Sequence, residues 1–427
     1  MQSTSKYYLG TASSVPFIAV DKNSGAVQDF PQDSSKSVLL VLGVVTLLVA
    51  AVSYGSRRKK VANLPPEPRN WPVIGALLDM GPVFYKTLDK FATRDGPIAF
   101  FCVGVQNVVV VSSAEAAEEL LRHKDTEFCD RQTAMSRSAA KYVGLDGIAF
   151  PFANYNAEYK LQRKIAMTEF FTTANMKSYE KLRTQEVSVM VEKVLSLIES
   201  NPNKNEDFNH VTSQSPTATD LRLVALASLR NILFSLTIGK RFDSLPPTDE
   251  LREFPVILDN VPTDNGVIIT VREMLSGGID ITGTEIAWAL VELVRHPKVL
   301  QRLQLELDAV VGKERPLEEA DLQSMPFLSA VVLETLRLHA IAPHTFPHVN
   351  MKPSTLCGYD IPANTAVLVN IWSMARDSKR WKDPLEFNPD RFMATGGDCS
   401  LLRHNAGESE LLLPTPIQQW QENVPRL

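Results

Sequence analysis

Three charged residues in the second half of the chain have the spacing of a buried ionic network. Glu334 and Arg337 are three residues apart in an apolar segment, so a helix would place the carboxylate and the guanidinium on one face. Burial of such a pair is costly unless further donors complete it. Arg391, in the segment 387–392 (FNPDRF), could be the third partner. The sequence therefore predicts a three-membered charged network.

The combination of E-x-x-R with the later F-x-P-x-R-F resembles the K-helix and meander motifs of the cytochrome P-450 family, specifically of its plant-type microsomal members. The resemblance extends from about Ser37 to Phe392. It implies that Glu334, Arg337 and Arg391 form a structural triad around the haem-binding core and are not catalytic. Other residues that fit this region are Arg376, Asp377, Trp381, Asp383 and Pro384.

The segment 275–282 (LSGGIDIT) resembles the family's I helix, which crosses the face of the haem. Two glycines would permit a local opening of the helix and the close approach of a flat cofactor and oxygen. An acid followed by an alcohol could relay protons during oxygen activation. Ile281 replaces the usual threonine, and a shift by one residue turns the hydroxyl about 100° around the helix. A glycine-containing helix without chemistry is the alternative. The candidate catalytic residues are Gly277, Gly278, Asp280 and Thr282.

Three residues are candidates for binding the haem propionates. The segment 159–164 (YKLQRK) resembles the family's W-x-x-x-R helix, with Tyr159 in place of the tryptophan and Arg163 as the arginine. His348 stands where plant-type members often have a second propionate-binding residue. A solvated basic helix is the alternative for Arg163, and an ordinary histidine is the simpler interpretation of His348.

The cysteine that holds the haem iron in this family is missing from its expected motif. The family places it in F-x-x-G-x-R-x-C-x-G after the F-x-P-x-R-F segment, and that string does not occur here. Cys399 follows Phe392, but Thr395, Gly397 and Leu401 replace the motif's other residues. No residue is therefore assigned as a metal ligand, although the resemblance implies a haem cofactor.

An internal segment is also expected to be missing. Residues 251–259 resemble the start of the substrate-covering region, yet the I-helix-like segment begins within a few residues of Asp264. The few residues between position 259 and Asp264 leave no room for the helices that cover the active site in this family. An altered transcript or gene model would explain both gaps.

Composition excludes several other function classes. The chain has 427 residues, 44% of them hydrophobic, and a net charge of −5 with both signs mixed, which gives no indication of nucleic-acid binding. Its four widely spaced cysteines lack C-x-x-C pairing, which indicates a reduced, cytosolic body rather than a disulfide scaffold or a zinc site.

The segment 38–54 (VLLVLGVVTLLVAAVSY) has no charge and is long enough as a helix, at roughly 25 Å, to cross a bilayer core. Four cations follow it at 57–60, so the positive-inside rule places the tail before it in the lumen and the body in the cytosol. A cleaved signal peptide and a buried core helix are the alternatives. The resemblance implies a single-pass protein of the endoplasmic reticulum membrane.

A proline-rich segment, 64–75 (LPPEPRNWPVIG), follows the anchor and predicts an extended, stiff spacer, with a ligand for another protein as the alternative. The predicted organisation is a lumenal tail (1–36), a transmembrane anchor (37–56), a basic and proline-rich spacer (57–75), a cytochrome P-450-like domain (76–392) and an atypical tail (393–427).

Hydrophobic periodicity predicts a mainly α body with small β regions, that is, an incomplete cytochrome P-450 fold with an N-terminal transmembrane helix. Strands are expected at 97–112 and within Pro343–Trp381. The predicted helices are Ala114–Arg122, Lys160–Phe171, Asn175–Glu199, Thr219–Leu236, Ile268–Val294, Lys298–Val311 and Met325–His339.

Two functions are consistent with these patterns. The first is a haem monooxygenase that receives electrons from a membrane-bound NADPH-dependent reductase and inserts oxygen into a small apolar or phenolic molecule. The second is a non-catalytic, membrane-tethered remnant that acts by association, which the missing cysteine favours for the chain as written.

Overall fold

The computed structural model describes residues 41–46, 48, 63–68, 71, 74–104, 106–131, 149–199, 221–244 and 266–393. The chain divides into two compact units, residues 1–57 and 58–427. In the first unit, residues 41–46 and 48 are helical and exposed. The rest of the predicted anchor (37–56), the predicted lumenal tail (1–36), residues 251–259 and the tail after Met393, with Cys399, lie outside the described residues.

The predicted transmembrane helix is not found within these limits. Among the described ranges, no helix is both long and apolar enough to cross a membrane.

The second unit is mainly helical, as the sequence predicts. Short 3-10 turns lie at Leu77–Asp79, Phe242–Ser244, Glu319–Ser324 and Pro389–Phe392, and single π turns at Glu119–His123 and Ala166–Phe170. The α-helices are α1 (Phe84–Asp95), α2 (Ala114–Glu118), α3 (Ala157–Ile165), α4 (Thr173–Ser178), α5 (Glu180–Glu199), α6 (Leu221–Ile238), α7 (Gly266–Arg295), α8 (Pro297–Val310), α9 (Pro326–Leu338) and α10 (Ile371–Met374).

Local capping explains where several helices begin. The side chain of Asn156 accepts a hydrogen bond from the Tyr159 amide at the start of α3. Pro297 and Pro326 begin α8 and α9, where a missing N–H leaves no helical hydrogen bond unmade. Pro297 also determines the end of α7, because the residue before a proline disfavours helical dihedral angles. The helix ends at Arg295, one residue after the predicted end at Val294.

The strands form one mixed sheet and one hairpin. In the four-stranded sheet the order is β1-β2-β6-β3, with β2 and β6 parallel and the other neighbours antiparallel; the hairpin joins β4 and β5. The strands are β1 (Ile98–Val103), β2 (Gln106–Val111), β3 (His348–Asn350), β4 (Ser354–Leu356), β5 (Tyr359–Ile361) and β6 (Thr365–Val369).

This sheet joins the two ends of the body. Alternating residues of β1 place Phe100 in one hydrophobic cluster and Phe101 in another on the opposite face. Val109 and Val367 contribute to the first cluster, which also contains Leu336 of α9. The early hairpin and the later strands are therefore one structure, and the charged helix α9 packs against it.

The described part of the proline-rich spacer lies on the body instead of standing free from it. Pro65 and Pro68 are buried, and the Pro66 carbonyl accepts a hydrogen bond from the Phe100 amide at 2.9 Å. The Ala76 amide donates to the Cys102 carbonyl at 2.7 Å. The segment is extended, as predicted, and it adds hydrogen bonds along the edge of β1.

Helices α6 and α7 pack at unusually close range at two glycines. A Cβ atom at Gly283 would lie 2.5 Å from Cδ2 of Leu226, and one at Gly278 would lie 2.9 Å from Cδ1 of Leu233. Since real Cβ atoms do not approach other atoms this closely, a side chain at either position would force Leu226 or Leu233 to shift, and glycine avoids that shift.

We expect Gly283→Ala to lower the free energy of unfolding by about 1–3 kcal/mol, because the added methyl group overpacks the interface between α6 and α7. Gly277→Ala is the matched control: nothing lies within 4 Å of its Cβ position, so higher helix propensity should raise stability by up to about 1 kcal/mol. Urea unfolding followed by circular dichroism measures both, and equal effects would contradict the packing assignment.

Candidate functional site

The predicted charged network is present at the C-terminal half of α9. The Arg337 guanidinium donates to the Glu334 carboxylate through Nε at 2.6 Å and Nη2 at 2.7 Å. Nε of Arg391 donates to the same carboxylate at 3.2 Å. The side chains of Glu334 and Arg337 are fully buried and that of Arg391 is 9% exposed. The structure therefore brings the three residues together as expected from E-x-x-R and F-x-P-x-R-F.

Backbone groups complete the network. The Asn388 amide donates to Oε1 of Glu334 at 2.8 Å. Nη1 of Arg337 donates to the carbonyls of Ala375 and Pro384, each at 2.7 Å. Nη2 of Arg391 donates to the Asp383 carbonyl at 2.6 Å. Each charged group is therefore compensated by several hydrogen bonds, which is the condition for burying charges.

The I-helix-like segment lies within α7, and the structure separates its two glycines. Gly278 faces Leu233 of α6, so its missing side chain makes room for that leucine. Gly277 is exposed, with nothing within 4 Å of its Cβ position. The helix is continuous from Gly266 to Arg295, so the expected local opening is not present. Of the two glycines, only Gly277 borders open space.

The acid and the alcohol of this segment are also differently placed. Asp280 is exposed, whereas Thr282 and Ile281 are partly buried. Successive helical residues are rotated by about 100°, so Thr282 does not occupy the face of Ile281, where the family has its threonine. The structure thus keeps the two polar groups two positions apart on one helix and does not bring them into a buried relay.

Arg163 lies on α3, which packs against α7. Its Nη1 is buried and has no hydrogen-bond partner among the described residues, and burial lowers the pKa of its guanidinium. Tyr159 lies one turn earlier on α3, packs edge-on against Phe150 at 5.7 Å, and has its pKa raised by burial. An unpartnered buried guanidinium is a site for an anionic group such as a carboxylate.

His348 begins β3, and a loop from the first half of the chain lies beside it. Its Nδ1 is 3.2 Å from the Phe128 carbonyl, and the Val349 amide donates to the Asp130 carbonyl at 2.7 Å. Side-chain burial is nearly complete at His348, which is 5% exposed. The histidine is thus held close to the loop that precedes the arginine described next.

Arg131 is a site residue that sequence reasoning missed. Burial lowers the pKa of its guanidinium. Its backbone amide donates to Oδ1 of Asn154 at 3.0 Å, just before α3. Nη1 donates to the Pro347 carbonyl at 3.4 Å, next to His348. An Asp-Arg pair in a loop is common on protein surfaces, so no pattern marked it. Arg131 links α3 and β3 into one polar region, hereafter the basic cradle: Arg131, Tyr159, Arg163 and His348.

The donor set of the basic cradle fits the propionate end of a haem, since an unpartnered buried guanidinium matches a carboxylate. The iron end has no matching ligand among the described residues. Cys102 packs within the core, and Cys129 donates to the Thr126 carbonyl at 3.1 Å. Burial and the neighbouring Glu119 raise the pKa of the Cys357 thiol to about 12, which opposes thiolate formation.

Other metal sites are equally unsupported. Within the part of the chain that the structure describes, no group of three or more histidine, cysteine, aspartate or glutamate side chains is placed to hold a metal ion.

We expect Glu334→Gln to lower the free energy of unfolding by about 3–5 kcal/mol, because Arg337 and Arg391 would lose the carboxylate that neutralises them. Glu118→Gln, which removes an exposed i,i+4 pair with Arg122, is the matched control and should cost about 0.5 kcal/mol or less. Chemical unfolding of both variants tests this, and a loss below 1 kcal/mol for Glu334→Gln would contradict the role of the network.

Comparison with known proteins agrees with this architecture. The cytochrome P450 family model matches residues 65–252 and 257–412. Cytochrome P450 98A1 of Sorghum bicolor is 30% identical over 437 residues, covering 87% of this chain and 85% of the relative. Flavonoid 3'-monooxygenase of Arabidopsis thaliana is 29% identical over 434 residues, covering 88% and 84%. A 3,9-dihydroxypterocarpan 6A-monooxygenase of Glycine max is 28% identical over 425 residues, covering 84% and 82%.

A solved structure gives the same fold. A zebrafish cytochrome P450, in a structure with abiraterone, superimposes with a TM-score of 0.56 at 22% identity, over 77% of this chain and 89% of that chain. The family model alone covers most of the sequence, and the charged network and basic cradle lie within the matched residues. The chain belongs to the cytochrome P450 family, a family of haem monooxygenases.

Proposed function

We propose that this chain is built for the haem-dependent hydroxylation of a small phenolic molecule, with electrons from an NADPH-dependent reductase. The observation that carries the proposal is the buried, unpartnered Nη1 of Arg163, which fits a haem propionate. The phenolic substrate class is supported by the names of two relatives, which give a flavonoid and a dihydroxypterocarpan as substrates.

A haem with a thiolate ligand would supply the capacity to cleave dioxygen and transfer one oxygen atom. The residues of this chain would act around it. Arg163 and His348 would bind the propionates, Arg131 would add a second positive charge for them, and Tyr159 would shield Arg163 from solvent. Gly277 would leave space beside α7. The exposed Asp280 and the partly buried Thr282 would each hold a proton on the same helix without forming a buried relay.

We further propose that the polypeptide of residues 1–427 is not catalytic by itself. Its sequence contains no F-x-x-G-x-R-x-C-x-G string, and the described thiols have other environments. Without the sulfur ligand, the chain would bind haem weakly, through the propionates alone. Alternatively, it would be a non-catalytic protein that acts by association.

Membrane attachment is a proposal of its own. The uncharged segment 38–54 followed by four cations supports a single-pass anchor in the endoplasmic reticulum membrane, with the body in the cytosol. Glycosylation mapping with an acceptor site placed at residue 20 or after residue 60 would test it, because only the lumenal acceptor is modified.

We expect the reduced, carbon monoxide-treated polypeptide of residues 1–427 to lack the red-shifted Soret band of a thiolate-bound haem. The purified chain in detergent is mixed with haem, reduced and treated with carbon monoxide, and the absorption spectrum of the Soret region is recorded. A relative with an intact F-x-x-G-x-R-x-C-x-G motif is the positive control. A thiolate-type band from this chain would disprove the absence of an axial sulfur.

We expect Arg163→Gln to weaken haem binding at least tenfold, because a charge-assisted hydrogen bond contributes about 1.5–3 kcal/mol. Titration of the chain with haem, followed by tryptophan quenching, measures the change. Arg122→Gln, at an exposed arginine outside the basic cradle, is the control and should bind like the parent. Equal affinities for the parent and Arg163→Gln would remove the basic cradle from the proposal.

A further inference from the structure

The last two turns of α7 bury a charged side chain and expose apolar ones. The Glu292 side chain is only 3% exposed, and its Oε1 lies 2.8 Å from Nε2 of His339, at the end of α9. The rest of these two turns exposes large apolar side chains: Trp288, Leu290, Val291 and Val294. A surface helix normally turns its apolar residues inwards. We call these four residues the α7 face.

Helical spacing makes the α7 face continuous. Val294 lies three residues after Val291 and four after Leu290, so the three side chains are neighbours on one side of the helix. Trp288 borders them, with its indole stacked on the His339 ring at a centroid distance of 3.9 Å and 11° from parallel. Contiguous exposed apolar residues indicate a binding surface, whereas single ones do not.

The last described residue lies at the same end of α7. Met393 packs against the hydrophobic cluster around Phe327 and Phe387, and Leu293 of α7 packs against that cluster too. Leu411 is 18 residues after Met393 in the sequence. At roughly 3.3 Å per residue, the intervening chain can span up to about 60 Å, so the segment that begins at Leu411 can reach the α7 face.

The chemistry of the segment 411–420 (LLLPTPIQQW) complements the α7 face. The segment has no charge, and half of its residues are large and apolar: Leu411, Leu412, Leu413, Ile417 and Trp420. Its two prolines favour an extended backbone over a helix. Glu408 and Glu410 precede it, whereas the exposed Arg295 and Lys298 follow the α7 face, so charges of opposite sign accompany the two apolar surfaces.

We propose that the α7 face is a docking site for residues 411–420 of the same chain. The leucines of the segment would cover Val291 and Val294, and Glu410 would lie near Lys298. Removal of apolar surface from water drives this docking. The contact involves neither haem nor the basic cradle, so its test is independent of the proposed function.

Photochemical cross-linking of the full chain in detergent tests the proposal. p-Benzoylphenylalanine replaces Val291, and the irradiated protein is digested with trypsin and analysed by mass spectrometry. Residues 404–426 form one tryptic peptide, because Arg403 and Arg426 bound it. We expect this peptide to be attached to α7 in a product of monomer size. The same label at Val189 on α5, which is 42% exposed against 43% for Val291, should not capture it.

Two substitutions after Met393 assign the contact without altering the body. Leu412→Asp should lower the yield of the cross-link by at least about fivefold, because burial of a carboxylate against an apolar surface is costly. Asn423→Asp adds the same charge outside the segment and should leave the yield unchanged. Equal yields for these two variants would overturn the proposal. So would a product of twice the monomer mass, which would mean that a second copy covers the α7 face, a cross-link to another segment, or no cross-link.

Discussion

The body depends on one buried carboxylate, that of Glu334, which accepts hydrogen bonds from two guanidiniums and one backbone amide. Arg337 continues the network to the carbonyls of Ala375 and Pro384. Because any missing partner would leave an uncompensated buried charge, the position of α9 determines that of the segment between β6 and Phe392. Charge neutralisation, rather than hydrophobic packing alone, therefore fixes the geometry of this half of the body.

Helix α7 is positioned by two different kinds of contact. Along its middle, Gly278 and Gly283 allow α6 to approach closely, and at its end Glu292 binds the histidine that caps α9. The glycines thus have different roles: Gly278 serves packing, and Gly277 borders open space. The family resemblance treats Gly277 and Gly278 as one motif, whereas their contacts give the two glycines different surroundings. The basic cradle, on α3 and β3, depends in turn on the contact between α3 and α7.

Family membership and the activity of the polypeptide are separate questions. Membership rests on a family model that matches most of the chain and on relatives that are similar along most of their length. Activity depends on a single sulfur ligand, because electron donation from a thiolate drives cleavage of the O–O bond. A body can retain its charged network without that ligand, since the hydrogen bonds of the network join guanidinium, carboxylate and backbone groups.

The sequence alone predicted most of the helices, the two strand regions and the charged triad, since these follow from local periodicity, proline positions and motif spacing. It did not predict α1 (Phe84–Asp95). Tertiary structure decided which glycine packs and which is open, and it brought Arg131, from a loop, beside Asn154 and Pro347. It also placed His339, at the end of α9, beside Glu292 of α7, 47 residues earlier in the chain. The physical reason is that periodicity reports only which face of an element is apolar, whereas contacts between distant segments depend on how those faces pack together.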